Sequence, residues 1–221
     1  MATMVSARRV VGFWWLALTA VAIAVFAPFP YLTAPLNDLG DSGLASHYAT
    51  KPAWVHVVLY VHMVGSGLAL LLSPVQLSSR LRARVPRLHR VVGRVTVVAM
   101  LVGGTAGGVL APMSVAGVVG AFGFGLLAVL SVAFPVLGFV AIRRGDVAGH
   151  RQWMLRAFAM VYAGVMLRVG IAVLMPLTGD FMSAYLLMPF GSWVPNLLLV
   201  EWVLWRERAR GRVVVAPRTA V

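Results

Sequence analysis

The sequence contains no cysteine, which excludes disulfide bridges, thiolate metal sites, a cysteine nucleophile and covalent attachment of haem. Acidic residues are scarce: six aspartates and glutamates stand against nineteen lysines and arginines, and charged residues of both signs make up only 11% of the chain. Soluble domains carry roughly 25% charged residues, so water is not the main solvent here. Catalytic signatures are missing too. There is no G-x-S-x-G, no Walker-type glycine loop and no H-E-x-x-H, which argues against hydrolase, NTPase and zinc-peptidase chemistry. Enzyme activity is otherwise left open, with oxidoreduction admitted only if a haem is bound, and no metal site is expected.

What is present is apolar. Of 221 residues, 61% are hydrophobic, gathered in stretches at about 10–31, 54–77, 91–112, 118–142, 153–176 and 184–205. A helix crosses a bilayer in roughly 20 residues, so six crossings are expected. Runs such as Val10 to Ala27 do not alternate apolar with polar residues, as the strands of a membrane barrel would. The first run follows Arg8 and Arg9 like a secretory signal. It is longer than a signal core of about 7–15 residues, and Pro28 suits cleavage poorly, so an uncleaved helix is expected. The fold class is therefore an all-α integral membrane protein: one membrane domain over 1–221, a six-helix bundle, with a basic tail from 206 to 221.

The basic residues are sorted by side. Arg8 and Arg9 precede the first stretch; Arg80, Arg82, Arg84, Arg87, Arg90 and Arg94 lie between the second and third. Arg143, Arg144, Arg151 and Arg156 flank the fourth connection, and Arg206, Arg208, Arg210, Arg212 and Arg218 follow the sixth. The other connections hold Asp38, Asp41 and Asp180 with Lys51 as the one strong base. The positive-inside rule then puts both termini in the cytoplasm. The net charge of +13 reads as a topological signal with attraction to anionic lipid headgroups, not as a nucleic-acid surface. Oligomeric state is not readable from these features.

Glycines suggest how the helices meet. Gly103, Gly104, Gly107 and Gly108 form two overlapping small-x-x-x-small pairs, and Gly117, Gly120, Gly123 and Gly125 follow in the next stretch; close packing within one chain is the expected use. An internal echo joins Leu88-His89-Arg90 to Gly149-His150-Arg151.

Several longer motifs carry a family resemblance: Pro74-Val75-Gln76, His89-Arg90-Val91-Val92-Gly93-Arg94, His150-Arg151-Gln152-Trp153-Met154-Leu155-Arg156, Leu167-Arg168 and Trp193-Val194-Pro195-Asn196-Leu197. Over about residues 55–205 the chain resembles the bacterial predicted membrane proteins grouped as domain-of-unknown-function family 2306. The resemblance implies a multi-pass protein of the bacterial inner membrane and supplies no mechanism.

Polar groups inside hydrocarbon need a partner or a role. His62 and Arg168 each stand about eight residues from the outer end of a span, roughly 12 Å deep at 1.5 Å per residue, and are expected to share a cavity that binds an anionic solute or a lipid headgroup. Asn196 follows Pro195, which removes a backbone donor; it is a candidate ligand contact or a compensation for the broken helix. Glu201 is expected to pair with Arg206 or Arg156. At the inner face His89 and His150 open helices of the same orientation. They are candidate axial ligands of a b-type haem, with Arg90, Arg94, Arg151 and Arg156 as partners of propionate or phosphate. Three function classes stay open: a transporter or binding protein for a small anion, a b-haem electron carrier, and a non-catalytic membrane interaction protein.

Overall fold

The computed structural model describes residues 2–39 and 43–214. Helix accounts for 89% of it, and no strand occurs among the described residues. Twelve α-helices follow one another: α1 Ala2–Phe26, α2 Phe29–Thr33, α3 Gly43–Ala49, α4 Ala53–Leu77, α5 Ser79–Arg84, α6 Pro86–Leu110, α7 Gly117–Arg143, α8 Val147–Val161, α9 Ala163–Thr178, α10 Phe181–Leu186, α11 Met188–Gly191 and α12 Val194–Val214. Among the described residues five helical segments are long and apolar enough to cross a membrane: Val10–Thr33, Ala53–Leu77, Pro86–Met113, Gly117–Arg143 and Val147–Thr178. Asp41 and Arg218 lie outside the described residues, as do the side chains of Arg8, Arg9 and Arg212.

Two expected helices are broken. The fifth crossing bends at Tyr162, where α8 gives way to α9. The stretch expected to be one helix over 184–205 is divided among α10, α11 and α12. Proline explains the second break. Pro189 and Pro195 fall in the first turns of α11 and α12, where a missing N–H leaves no bond unmade; in mid-helix either would have removed one.

Turns are set by residues suited to them. Gly145 (φ 79°) and Gly179 (φ 83°) take the left-handed conformation that costs glycine nothing. The aspartate after each then caps the next helix, Asp146 accepting from Gly149 N at 2.7 Å and Asp180 from Ser183 N at 2.9 Å.

The bundle centres on α4, α6, α7 and α8, with α1 laid against α4 and α12 against α8. Its interior is built from small residues: Ala69, Ala99, Ala157, Ala159 and Ala163 are buried beside Met100, Met160 and Trp193. Valines, leucines, phenylalanines and tryptophans such as Val11, Trp15, Phe122, Val129 and Leu198 face outward. Hydrocarbon offers such side chains what water does not, and small interior residues let helices pack without a hydrophobic drive.

The glycine pairs of α6 serve two neighbours within the chain. A Cβ on Gly103 would fall 2.6 Å from Ser66 N, and one on Gly107 would fall 2.9 Å from the His62 ring, so this stripe faces α4. Gly104 and Gly108 instead meet Ser131, Val132 and Ala128 of α7. The echo between the hairpins extends to helix shape. Pro74 inside α4 and Pro135 inside α7 stand at the same separation as His89 and His150.

Candidate functional site

A cavity of about 260 Å³ opens among α1, α3, α4, α6, α7 and α9, and both His62 and Arg168 line it. Its position follows from the packing just described. Glycine at 107 leaves room on α6 for the imidazole of His62, whose Nδ1–H donates to the Gly103 carbonyl at 2.8 Å. A carbonyl only accepts, so Nδ1 carries the proton, and in the neutral ring the lone pair is on Nε2. Val161, Gly164 and Arg168 reach the cavity together even though the bend at Tyr162 interrupts the helical phase that relates them. Thr19 Oγ1 of α1 and the Tyr162 hydroxyl share a 2.6 Å hydrogen bond at that bend.

Arg168 makes one weak contact, Nη1 to the Gly164 carbonyl at 3.3 Å. The described ion pairs are Arg151 with Glu207 and Arg156 with Glu201; neither involves Arg168. No aspartate or glutamate lines the cavity among the described residues. The remaining polar wall is neutral: Tyr31, Tyr48, Tyr185, Ser66, Ser114, Ser131 and Ser192. Tyr48 belongs to α3, where burial pushes its phenol up to about 12, so it stays a hydroxyl donor throughout the physiological range. The Ser192 hydroxyl is only 1% exposed and has no hydrogen-bond partner. A buried hydroxyl left unpaired costs free energy, and here it stands in a cavity wall.

The end of the bundle around α3 is braced by histidines to which sequence reasoning assigned no role. His47 Nε2 donates to the Met113 carbonyl at 2.8 Å and His56 Nε2 to the Tyr48 carbonyl at 2.8 Å, while the Tyr60 hydroxyl donates to the Tyr31 carbonyl at 3.1 Å. Tyr31, Tyr48, Tyr185 and Ser192 are the cavity residues that sequence reasoning missed. Tyrosine at a membrane interface is ordinary, and only the fold shows that these three line the cavity that contains Arg168.

Asn196 lies outside the cavity lining. Its Nδ2 donates to the Ser192 carbonyl at 3.1 Å and the Ala159 carbonyl at 3.2 Å. One acceptor lies in the turn opened by Pro195, and the other in the last turn of α8, where helical carbonyls lack partners.

At the opposite end of the bundle Glu201 chelates Arg156 through Oε1 at 2.5 Å and Oε2 at 2.9 Å, and the guanidinium lies 4.7 Å from the Trp153 ring centre. Arg151 binds Glu207 at 2.7 and 2.9 Å. Both arginines are thus engaged by α12, while Arg90 reaches only the Pro86 carbonyl, at 3.4 Å, and Arg94 has no partner among the described hydrogen bonds and ion pairs. His89 and His150 come within electrostatic reach of each other. The Nδ1–H of His150 donates to the Gly138 carbonyl at 2.8 Å. Among the described residues His89 Nδ1 and Gln76 Nε2 are buried without a partner; Gln76 lies against Gly93, one turn after His89 on α6, where a Cβ would fall 3.0 Å from Gln76 Oε1. Among the described residues no group of three histidines, aspartates or glutamates is placed to hold a metal ion.

With this geometry in view, the comparison with known families is direct: residues 59–204, which contain His62, Arg168, both inner histidines and most of the cavity wall, match the model described as predicted membrane protein (DUF2306). The chain belongs to this family. No curated protein and no solved structure matches it. As a DUF2306 membrane protein it carries its buried polar groups inside the matched segment, while Tyr31 and Tyr48 of the cavity wall precede that segment.

Proposed function

We propose that this protein binds, and passes across the membrane, a small anionic solute or a lipid headgroup, taken up in a cavity that opens to the outer side of a bacterial inner membrane. The observation that carries this reading is the Arg168 guanidinium, which lines a cavity whose described wall offers it hydroxyls and an imidazole but no carboxylate. A permanent charge at membrane depth needs an anion. Arg168 supplies the charge and a planar donor fork, the tyrosines supply neutral donors, and His62 Nε2 supplies a lone pair. The reading includes six crossings with both termini inside. The sixth is formed by α10, α11 and α12, and the arginines on one side of the bundle support that orientation.

Thermal unfolding of the purified protein with a panel of carboxylate and phosphate anions tests this. At least one anion is expected to raise Tm in the wild type, with the gain lost in Arg168→Gln and reduced in His62→Ala. Anion effects unchanged in both variants would remove the reading.

A second reading rests on the inner face, where His89 and His150 approach each other and His150 holds its Nδ1 on a backbone carbonyl, as metal-binding histidines commonly do. A b-type haem ligated there would add electron transfer, with Arg90 and Arg94 left for its propionates. Arg151 and Arg156 are already bound to glutamates, and His89 lacks the supporting bond, so the fit is partial. Protein made with ample haem should show a Soret band lost in His89→Ala and His150→Ala; a colourless folded preparation removes this reading.

A further inference from the structure

We propose that the occupant of the outer cavity is a single-chain amphiphile with one monoanionic head, a carboxylate on an alkyl chain, and not a free inorganic anion; this rests on the anion-binding reading above. The head end is defined by charge. Among the described residues the wall contains one arginine, no lysine and no carboxylate, so a single negative charge balances it, and a second would find no further cation there. Tyr48, Tyr31 and Tyr185 can give the head further hydrogen bonds without adding charge.

The other end is defined by what lines it. Beyond His62 the cavity wall passes to Leu70, Met100, Leu127, Met160 and Val161. Two of these, Met100 and Met160, are thioethers that adapt to a chain of varying shape. A free phosphate or acetate would leave this half unfilled, whereas an alkyl chain would bury its surface there. At that depth the wall offers only neutral hydroxyls, those of Ser131 and Ser192, and the unpartnered one of Ser192 marks where a hydroxylated chain would bind better than a plain one. The same chemistry serves an acid arriving from water or from the outer leaflet.

The experiment compares decanoate, decanol and acetate by thermal shift on the full chain in nanodiscs of neutral lipid. Decanoate is expected to act at roughly tenfold lower concentration than either, and Arg168→Gln should bring it down to the level of decanol. Gly164→Val adds two methyls beyond a Cβ that would meet Leu70 at 3.9 Å, which narrows the cavity between the apolar wall and Arg168; it should weaken decanoate more than acetate. Acetate equal to decanoate, both dependent on Arg168, overturns the amphiphile and leaves the small-anion reading standing. Decanoate binding indifferent to Arg168→Gln overturns both. If Arg168→Gln does not fold, an unaltered preference for decanoate over acetate in Gly164→Val overturns the amphiphile by itself.

Discussion

Asn196 spends its amide on two carbonyls that helix ends leave unpaired, Ser192 in its own preceding turn and Ala159 at the end of α8. Removing it in Asn196→Ala should cost about 1–2 kcal/mol, within the range for a buried group left unsatisfied and near the upper end for interhelical bonds in membranes. The measurement is chemical or thermal denaturation in detergent. Anion-dependent stabilisation should survive, because the side chain is not in the cavity wall. Glycine positions separate in the same way. Gly103→Ala sets a Cβ against the backbone nitrogen of Ser66 at 2.6 Å, where no flexible side chain can yield, and overpacking of roughly 1–3 kcal/mol is expected. Gly164→Ala should be close to neutral by the same assay, since its Cβ makes ordinary contact.

At the scale of the element, α12 joins the bundle by apolar packing, with Leu197 and Val200 against the cluster of Ala159 and Met160 and with Leu204 buried, and by charge. Its apolar residues Leu198, Leu199, Trp202 and Trp205 face outward, while Glu201, Glu207 and Arg208 reach Arg156, Arg151 and Gln152. Glu201→Gln breaks a bidentate pair and should cost about 1.5 kcal/mol, the low end for charged hydrogen bonds, because Glu201 remains 43% exposed. Limited proteolysis after Arg208 should quicken in parallel. The outer pair gives a pH signature. The hydrogen bond from Arg151 holds the Glu207 carboxyl below its usual range. A carboxylate depressed in the folded state contributes stability above its unfolded pKa and loses it as pH falls through the folded value. The difference in Tm between wild type and Glu207→Gln should therefore be constant from about pH 8 to 5 and shrink below about pH 4. It should also be small, as exposed pairs contribute at most about 1 kcal/mol.

For the molecule as a whole, orientation is the property with the most direct test. Fusions of a reporter active only outside the cytoplasm should be active near residues 45 and 180 and silent near 85, 148 and 215; activity near 85 would invert the bundle. The fusion at 215 separates six crossings from five, because α12 is the segment too charged to qualify by hydropathy, with Glu201, Arg206, Glu207 and Arg208 inside one helix.

Hydropathy by itself determined that this is a helical membrane protein with five candidate spans near the expected positions, since burial in hydrocarbon acts on each segment alone. Depth along a helix is likewise local, and it was enough to put His62 and Arg168 at one level. The tertiary structure decided whatever depends on which helix lies beside which. It assigned the two glycine stripes of α6 to α4 and α7, chose Arg156 over Arg206 for Glu201, and turned Tyr31, Tyr48 and Tyr185 toward the cavity that contains Arg168. The bend at Tyr162 belongs with these. No proline or glycine occupies Tyr162 itself, and its stabilising contacts, Thr19 and Asn196, come from helices distant in sequence. An interruption maintained by long-range hydrogen bonds leaves no local pattern to read.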